Sequence, residues 1–188
     1  MSENIRTFIA IELPSEIRAG IGQVQAATRA AGLRAAWVRP ENIHLTLKFL
    51  GDIRAAEIET IARAMADACR PYEPFELTVK GMGVFPGTDR PRVLWVGVGG
   101  QVDVLEKLQH SLAQQLAGCG YPDEKRRFHA HLTVARFKGS VATQALLQAI
   151  QAQAAFETQA FVAREIILFQ SVLKPSGAIY SALRRVAL

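Results

Sequence analysis

The 188-residue chain is poor in several things. Cysteine occurs twice, at Cys69 and Cys119, far apart and in no Cys-x-x-Cys pair. That spacing excludes a disulfide framework and a thiolate zinc site, and points to two free thiols in a reducing compartment. Long apolar runs are missing. The run Phe8-Ile9-Ala10-Ile11 is far too short for a signal peptide or a membrane span, and Met1-Ser2-Glu3-Asn4 before it carries no basic stretch. A cytoplasmic protein with no membrane partner is expected. No phosphate-cradling P-loop occurs, so ATP dependence is not expected and no cofactor is implied. Linkers, low-complexity segments and breaks in composition are also missing. Residues 1–188 therefore read as one domain, and with no long amphipathic seam a monomer is the expectation.

What is present suits a soluble globular chain. Hydrophobic residues make up 49% and charged residues 21%, enough to bury a core without disulfides or metals. Lysine and arginine outnumber aspartate and glutamate by 22 to 17, a net charge of +5. A mild positive excess fits a polyanionic partner, since these side chains neutralise phosphates. It becomes informative only beside a site that handles phosphate.

Periodicity gives an order of elements. "IRTFIAI" at 5–11 reads as a strand. Ile17, Ile21 and Val24 then recur at helical spacing, with Gly32 placed to close that helix. "NIHLTLKFLG" at 42–51 is a strand, and Ile58, Ile61, Met65 and Cys69 mark a second helix. "FELTVKGMGVF" and "RVLWVGV" are strands. Leu105, Leu108, Leu112 and Leu116 mark a third helix, before the strand "HAHLTVARF" at 129–137. A fourth helix is expected within 141–155, followed by strands near 161–170 and 178–186. The second half nearly repeats the first. The economical reading is an internally duplicated α+β protein, two similar lobes folded against each other.

One tetrapeptide pattern marks the duplication: His44-Leu45-Thr46-Leu47 and His131-Leu132-Thr133-Val134. Side chains alternate across a strand. His44, Thr46 and Lys48 then share one face, with Leu45, Leu47 and Phe49 on the other. His131 and Thr133 are likewise separated from Leu132 and Val134. Same-face neighbours lie about 7 Å apart, so His and Thr can reach one tetrahedral group lying across the strand. A threonine hydroxyl can donate to a phosphate oxygen, and an imidazole can give or take a proton near neutral pH. Two such strands around a pseudo-twofold axis supply an acid and a base on opposite sides of a phosphorus atom.

With these flanks the chain resembles the two-histidine phosphoesterase superfamily. It is most similar to the RNA 2′,3′-cyclic phosphodiesterases of bacteria and archaea, also called 2′–5′ RNA ligases. The resemblance runs through "FIAIELP" at 8–14, "ENIHLTLKFLGD" at 41–52, "GVFP" at 83–86, "RVLWVGV" at 92–98, "FHAHLTVARF" at 128–137 and "SVLKPSGAIYSAL" at 171–183. It implies a bilobal fold with two antiparallel sheets flanking a central groove and helices outside. It implies hydrolysis of RNA 2′,3′-cyclic phosphate ends to 2′-phosphomonoesters. By that resemblance His44 is the proton donor, His131 the proton acceptor, and Thr46 and Thr133 hold the non-bridging oxygens. The residues themselves do not distinguish acid from base.

Secondary candidates follow. Lys48 shares the His44 face and is a candidate for RNA phosphate. Arg136 suits the charge of a transition state or a surface or inter-lobe salt bridge; simple alternation turns it away from His131 unless a bulge or the strand end turns it back. Lys125-Arg126-Arg127 is a candidate basic rim. Phe49 and Trp95 are expected in the core, Phe85 is open as a base platform, and His110 is read as structural or exposed. Ala130 stands where the family commonly has proline, which leaves the entry to the second strand less constrained. RNA ends or small cyclic nucleotides are the expected partners. Three alternatives stay open: reversible 2′–5′ joining at the same site, a non-catalytic RNA-end binding module, and a metal-dependent hydrolase using His129 and His131.

Overall fold

The computed structural model describes residues 4–122, 127–175 and 177–188. The basic pair Lys125-Arg126, Asp123, Glu124 and Ser176 of the last turn lie outside the described residues. Nine strands and four α-helices are described, in the order β1 (Asn4–Glu12), α1 (Ser15–Ala30), β2 (Ala36–Trp37), β3 (His44–Arg54), α2 (Ile58–Cys69), β4 (Phe75–Phe85), β5 (Val93–Gly100), α3 (Val102–Ala117), β6 (His131–Arg136), α4 (Thr143–Ala152), β7 (Phe161–Ala163), β8 (Glu165–Lys174) and β9 (Gly177–Ala187).

The expected elements form where the pattern puts them, for the expected reasons. Helix α1 buries Ile17, Ile21 and Val24 on one side, and Gly32 follows it at φ +85°, a conformation only glycine adopts cheaply. The ladder Leu105, Leu108, Leu112 and Leu116 of α3 is buried throughout. One strand departs from expectation. The segment read as a single strand near 161–170 divides into β7 and β8, which join different sheets. No helix of the described residues is long and apolar enough to cross a membrane.

Two antiparallel sheets result, with strand orders β3-β1-β8-β9 and β2-β6-β5-β4-β7. These orders carry the duplication and add an exchange. Strands β3 and β1 of the first half are completed by β8 from the second half. Strands β6 and β5 of the second half are completed by β4 from the first. Each half therefore gives two strands to the other sheet, β2 and β4 from the first and β8 and β9 from the second, and neither sheet is complete within one half of the chain. A single apolar core runs through both, from Ile9 and Ile11 to Leu132 and Val134. The fold is α+β, bilobal and internally duplicated.

The opposite face of the first sheet carries a small separate cluster of Phe8, Ala10, Ile167 and Phe169, with Tyr180 packed on it. Alternation along β1 explains the split: Ile9 and Ile11 enter the main core, while Phe8 and Ala10 turn the other way. That second face is where His44 lies.

Candidate active site

The two motif strands share a local distortion. In the β1–β3 ladder Ala10 faces Thr46 and Ile9 faces Lys48, so Leu47 is an extra residue. In the β5–β6 ladder Trp95 faces Thr133 and Leu94 faces Ala135, so Val134 is an extra residue. Both motifs thus carry a β-bulge at the same place, the residue after the threonine. A bulge resets alternation. Leu47 and Lys48 both turn inward, as do Val134 and Ala135.

Two expectations for the first strand fail because of this bulge. Lys48 does not share the His44 face. It is 3% exposed, and its Nζ donates to the Pro122 carbonyl at 2.7 Å. A buried amine needs such a partner, and here it ties the first motif strand to the loop leading to the second. Phe49, expected in the core, is 57% exposed on the same side as Thr46, directly across from Phe8. In the second strand the bulge returns Arg136 to the face of His131 and Thr133, which pure alternation denied it.

Each histidine is held in the same way. His44 Nδ1 lies 2.8 Å from the Asn42 carbonyl oxygen, and His131 Nδ1 lies 2.7 Å from the His129 carbonyl oxygen. A carbonyl oxygen only accepts, so Nδ1 carries the proton in both rings. Nε2 is then the atom that accepts a proton from the neutral ring or gives one from the charged ring. The bond to the carbonyl two residues upstream also restrains the chain around Ala130 as it enters β6.

The rings pack on different walls. His44 stacks on Phe8 at 4.6 Å between centroids and meets the edge of Tyr180 at 5.2 Å. His131 meets Phe85 edge-on at 5.0 Å, with His129 beside it at 6.2 Å. Burial in this aromatic surround lowers the His44 pKa to about 4, and the Asn42 hydrogen bond only partly offsets it. His131 is also lowered, first by burial, with the charges of His129 and Arg136 acting the same way. The Arg136 charge is felt by Tyr180 as well, against the upward push of burial on that phenol. The Arg136 charge, from one lobe, thus reaches the Tyr180 that packs on His44 of the other.

A groove of about 1040 Å³ is lined by Thr46, Phe49, Phe85, Arg92, Arg127 and His131, among others. His44 borders a second hollow of about 330 Å³ with Asn42 and Tyr180. Among the described residues neither Thr46 nor Thr133 has a hydrogen-bond partner for its hydroxyl, and no cluster of three or more His, Cys, Asp or Glu side chains is placed to hold a metal. His129 lies beside the site and His110 is exposed at the groove, hydrogen-bonded to Gln114. Both cysteines are free.

Several neighbours of the site were not singled out by sequence reasoning. Phe8 and Phe169 lie outside both His-x-Thr motifs, and no chemistry was assigned to Tyr180. Trp95, expected in the core, is only partly buried and lies across from Thr133 beside Phe85 and His129, with its Nε1 buried and unpaired. Gly83 makes room for it, since a Cβ there would come within 2.3 Å of the indole. Alternation along β1 and β5 was the signal that could have found Phe8 and Trp95.

Comparison with known proteins agrees with this geometry. The model of the LigT like Phosphoesterase family matches twice, over residues 11–95 and 96–180. The RNA 2′,3′-cyclic phosphodiesterase of Methanothermobacter thermautotrophicus is 34% identical over 177 residues, covering 94% of this chain and 95% of that protein. Its counterpart in Thermotoga maritima is 33% identical over 180 residues, covering 95% and 93%. Among solved structures, Escherichia coli LigT complexed with 3′-AMP superposes with a TM-score of 0.76 at 28% identity, over 99% of both chains. Each matched segment holds one His-x-Thr strand with its bulge, so the repeat seen in the topology is the repeat of the family, and the chain belongs to the LigT-like phosphoesterases.

Proposed function

We propose that the protein hydrolyses the 2′,3′-cyclic phosphate at RNA ends, or on small nucleotides, to a 2′-phosphomonoester. The observation that carries this reading is the matched pair of imidazoles, each with Nδ1 tied to the carbonyl two residues upstream. A binding module has no need of two rings held in the same tautomer. The names of the relatives support hydrolysis rather than 2′–5′ joining.

The reaction uses one proton from each side. His131 Nε2 takes a proton from water as its oxygen bonds to phosphorus. The bond from phosphorus to O3′ breaks in line with that attack, and protonated His44 delivers its Nε2 proton to O3′. The product carries a 2′-phosphate and a 3′-hydroxyl, and exchange with solvent resets both rings. The hydroxyls of Thr46 and Thr133 and the Arg136 guanidinium bear on the non-bridging oxygens, where charge builds up. His44 must begin protonated, which its burial opposes. The anionic phosphate supplies the opposite push, since a nearby negative charge favours the imidazolium. A monomer acting in the cytoplasm is part of the same proposal, and the two free thiols fit it.

The test is an RNA oligonucleotide ending in 2′,3′-cyclic phosphate, incubated with the protein in excess EDTA. Ring opening to a 2′-phosphate is expected. A 3′-phosphate product, dependence on added metal, or binding without turnover would each reject the proposal.

A further inference from the structure

A glutamine on the apolar face of a helix needs a reason. Gln25 lies on α1 among the buried Ile21, Val24 and Thr28 and is itself 6% exposed. Its Nε2 donates twice, at 2.8 Å to the Val38 carbonyl and at 2.8 Å to the Val134 carbonyl. A primary amide has two N–H groups, so one glutamine can hold both carbonyls at once. Val134 is the extra residue of the β6 bulge. An extra residue is left unpaired in the ladder, and a buried carbonyl there takes its partners from elsewhere. The Val38 N–H reaches the same oxygen at 3.0 Å. The other bulge has a matching contact. Gln109 of α3 donates its Nε2 to the carbonyl of Leu47, the extra residue of β3, at the longer distance of 3.4 Å. Each half of the chain thus sends a glutamine from its helix to the motif bulge of the other half.

We infer that Gln25 is a positioning residue for the second motif: its amide fixes the β6 bulge in the form that returns Arg136 to the face of His131. Gln109 is its weaker counterpart on β3. The β6 bulge needs such a hold. Strand β2 ends at Trp37, opposite Ala135, so the ladder on that edge stops where the bulge begins. Without the amide, β6 is free to drop the bulge and resume plain alternation. A slip of one residue turns every later side chain to the opposite face, Arg136 included. The tight clamp stands where the bulge re-aims a cation. On β3 the same position holds the uncharged Phe49.

The kinetic consequence rests on the proposed hydrolysis, and the structural one does not. Gln25 does not line the groove, so it acts on the reaction only through what the bulge carries. With the bulge released, the guanidinium no longer bears on the non-bridging oxygens, and the loss falls on the chemical step. Because the effect is routed through one side chain, it vanishes when that side chain is absent. A glutamine that merely supported the fold would not behave so.

The experiment is a double-mutant cycle of Gln25→Met and Arg136→Ala. It is read by kcat and KM on adenosine 2′,3′-cyclic phosphate and by NMR titration of the His131 ring. Methionine keeps the length of the side chain and removes both donors. Gln25→Met should lower kcat roughly ten- to hundredfold, with a smaller change in KM. In the Arg136→Ala background the same substitution should cost less than about threefold. Gln109→Met should have the smaller effect. The charges beside the His131 ring are those of His129 and Arg136, and both hold its pKa down. The ring should therefore titrate higher in Gln25→Met, as in Arg136→Ala, and no higher in the double variant. Equal kcat losses in both backgrounds, or an unchanged kcat and His131 titration in folded Gln25→Met, would overturn the inference. If the wild type did not open the ring, the proposed hydrolysis would fail. The His131 titration would still decide the clamp, and no upward move in Gln25→Met would reject it. Where Gln25→Met does not fold, Gln25→Glu takes its place, with the same shape and one hydrogen to donate when protonated. It should show the same pattern at smaller amplitude, and wild-type behaviour in both readouts would reject the clamp.

Discussion

Strands β3 and β6 share one plan and differ in what surrounds it. Each carries histidine and threonine on its half-buried face, a bulge directly after the threonine, and an Nδ1 bond to the carbonyl two residues before the histidine. Around β3 the wall is aromatic, with Phe8, Phe169 and Tyr180, and the residue across from His44 is Glu12, which is engaged by Arg18 and Arg185. Around β6 the wall is more polar and cationic, with His129 and Arg136, and the residue across from His131 is Gly97. The repeated frame places two alike groups in unlike surroundings. Burial lowers both imidazoles and so opposes a protonated His44; the proposed division into acid and base has to come from the bound phosphate and from how the substrate lies, with no change in the frame.

The largest effect comes from removing either member of the pair. His44→Ala and His131→Ala should each lower kcat by roughly 10²–10⁴, the usual contribution of a positioned acid or base. The double variant should be little worse than either single one, because the two rings act together. Additive losses in a kcat comparison would show that they work independently. Arg136→Ala comes next. An expected loss of about 10²-fold in kcat reflects one donor taken from the developing charge, and Arg136→Lys should recover only part of it because lysine lacks the planar fork.

Proton linkage gives a smaller effect with a definite sign. Both histidines lie below their ordinary value in the folded protein, so the unfolded chain binds more protons as the solution is acidified. Stability is present in full above about pH 6.5 and is lost as pH falls toward 4, the window set by His44. The loss from His44 alone is on the order of 3 kcal/mol, from the shift between 6.5 and about 4. Urea melts at pH 7 and pH 4 should show it, and His44→Gln should flatten the difference. An equal drop in both proteins would contradict the burial of His44. Lys48→Met is expected to cost about 1–3 kcal/mol, the price of leaving the Pro122 carbonyl unpaired, with no comparable cost from Ala135→Gly at the matching place in β6 beyond lost burial. Equal melting temperatures for Lys48→Met and wild type would remove the tie between the strands.

The parts legible from sequence are those governed by short-range periodicity. His44, Thr46, His131 and Thr133 fall on the half-buried face of their strands, opposite the buried Leu45 and Leu132, because two-residue alternation holds as far as the threonine. Beyond it the bulge breaks the rule. Nothing in "LTLKF" announces an extra residue, because a bulge exists only relative to the partner strand. Lys48 and Phe49 were therefore each expected on the wrong face. For Arg136 a bulge or the strand end was foreseen as a way back to the His131 face. The exchange of β4 and β8 between sheets was equally hidden, since the order of elements along the chain does not state which strands pair. Tyr180 is brought to His44 by that pairing, with β9 joining the first sheet through β8.

The central claim is that two near-equivalent histidines do unequal work. The most direct measurement replaces the 3′ bridging oxygen of the cyclic phosphate with sulfur, a leaving group that needs no proton, and compares His44→Ala with His131→Ala. The account predicts that His44→Ala regains most of the wild-type rate on the sulfur substrate, while His131→Ala stays slow. Rescue of His131→Ala instead, or of both variants alike, would contradict it.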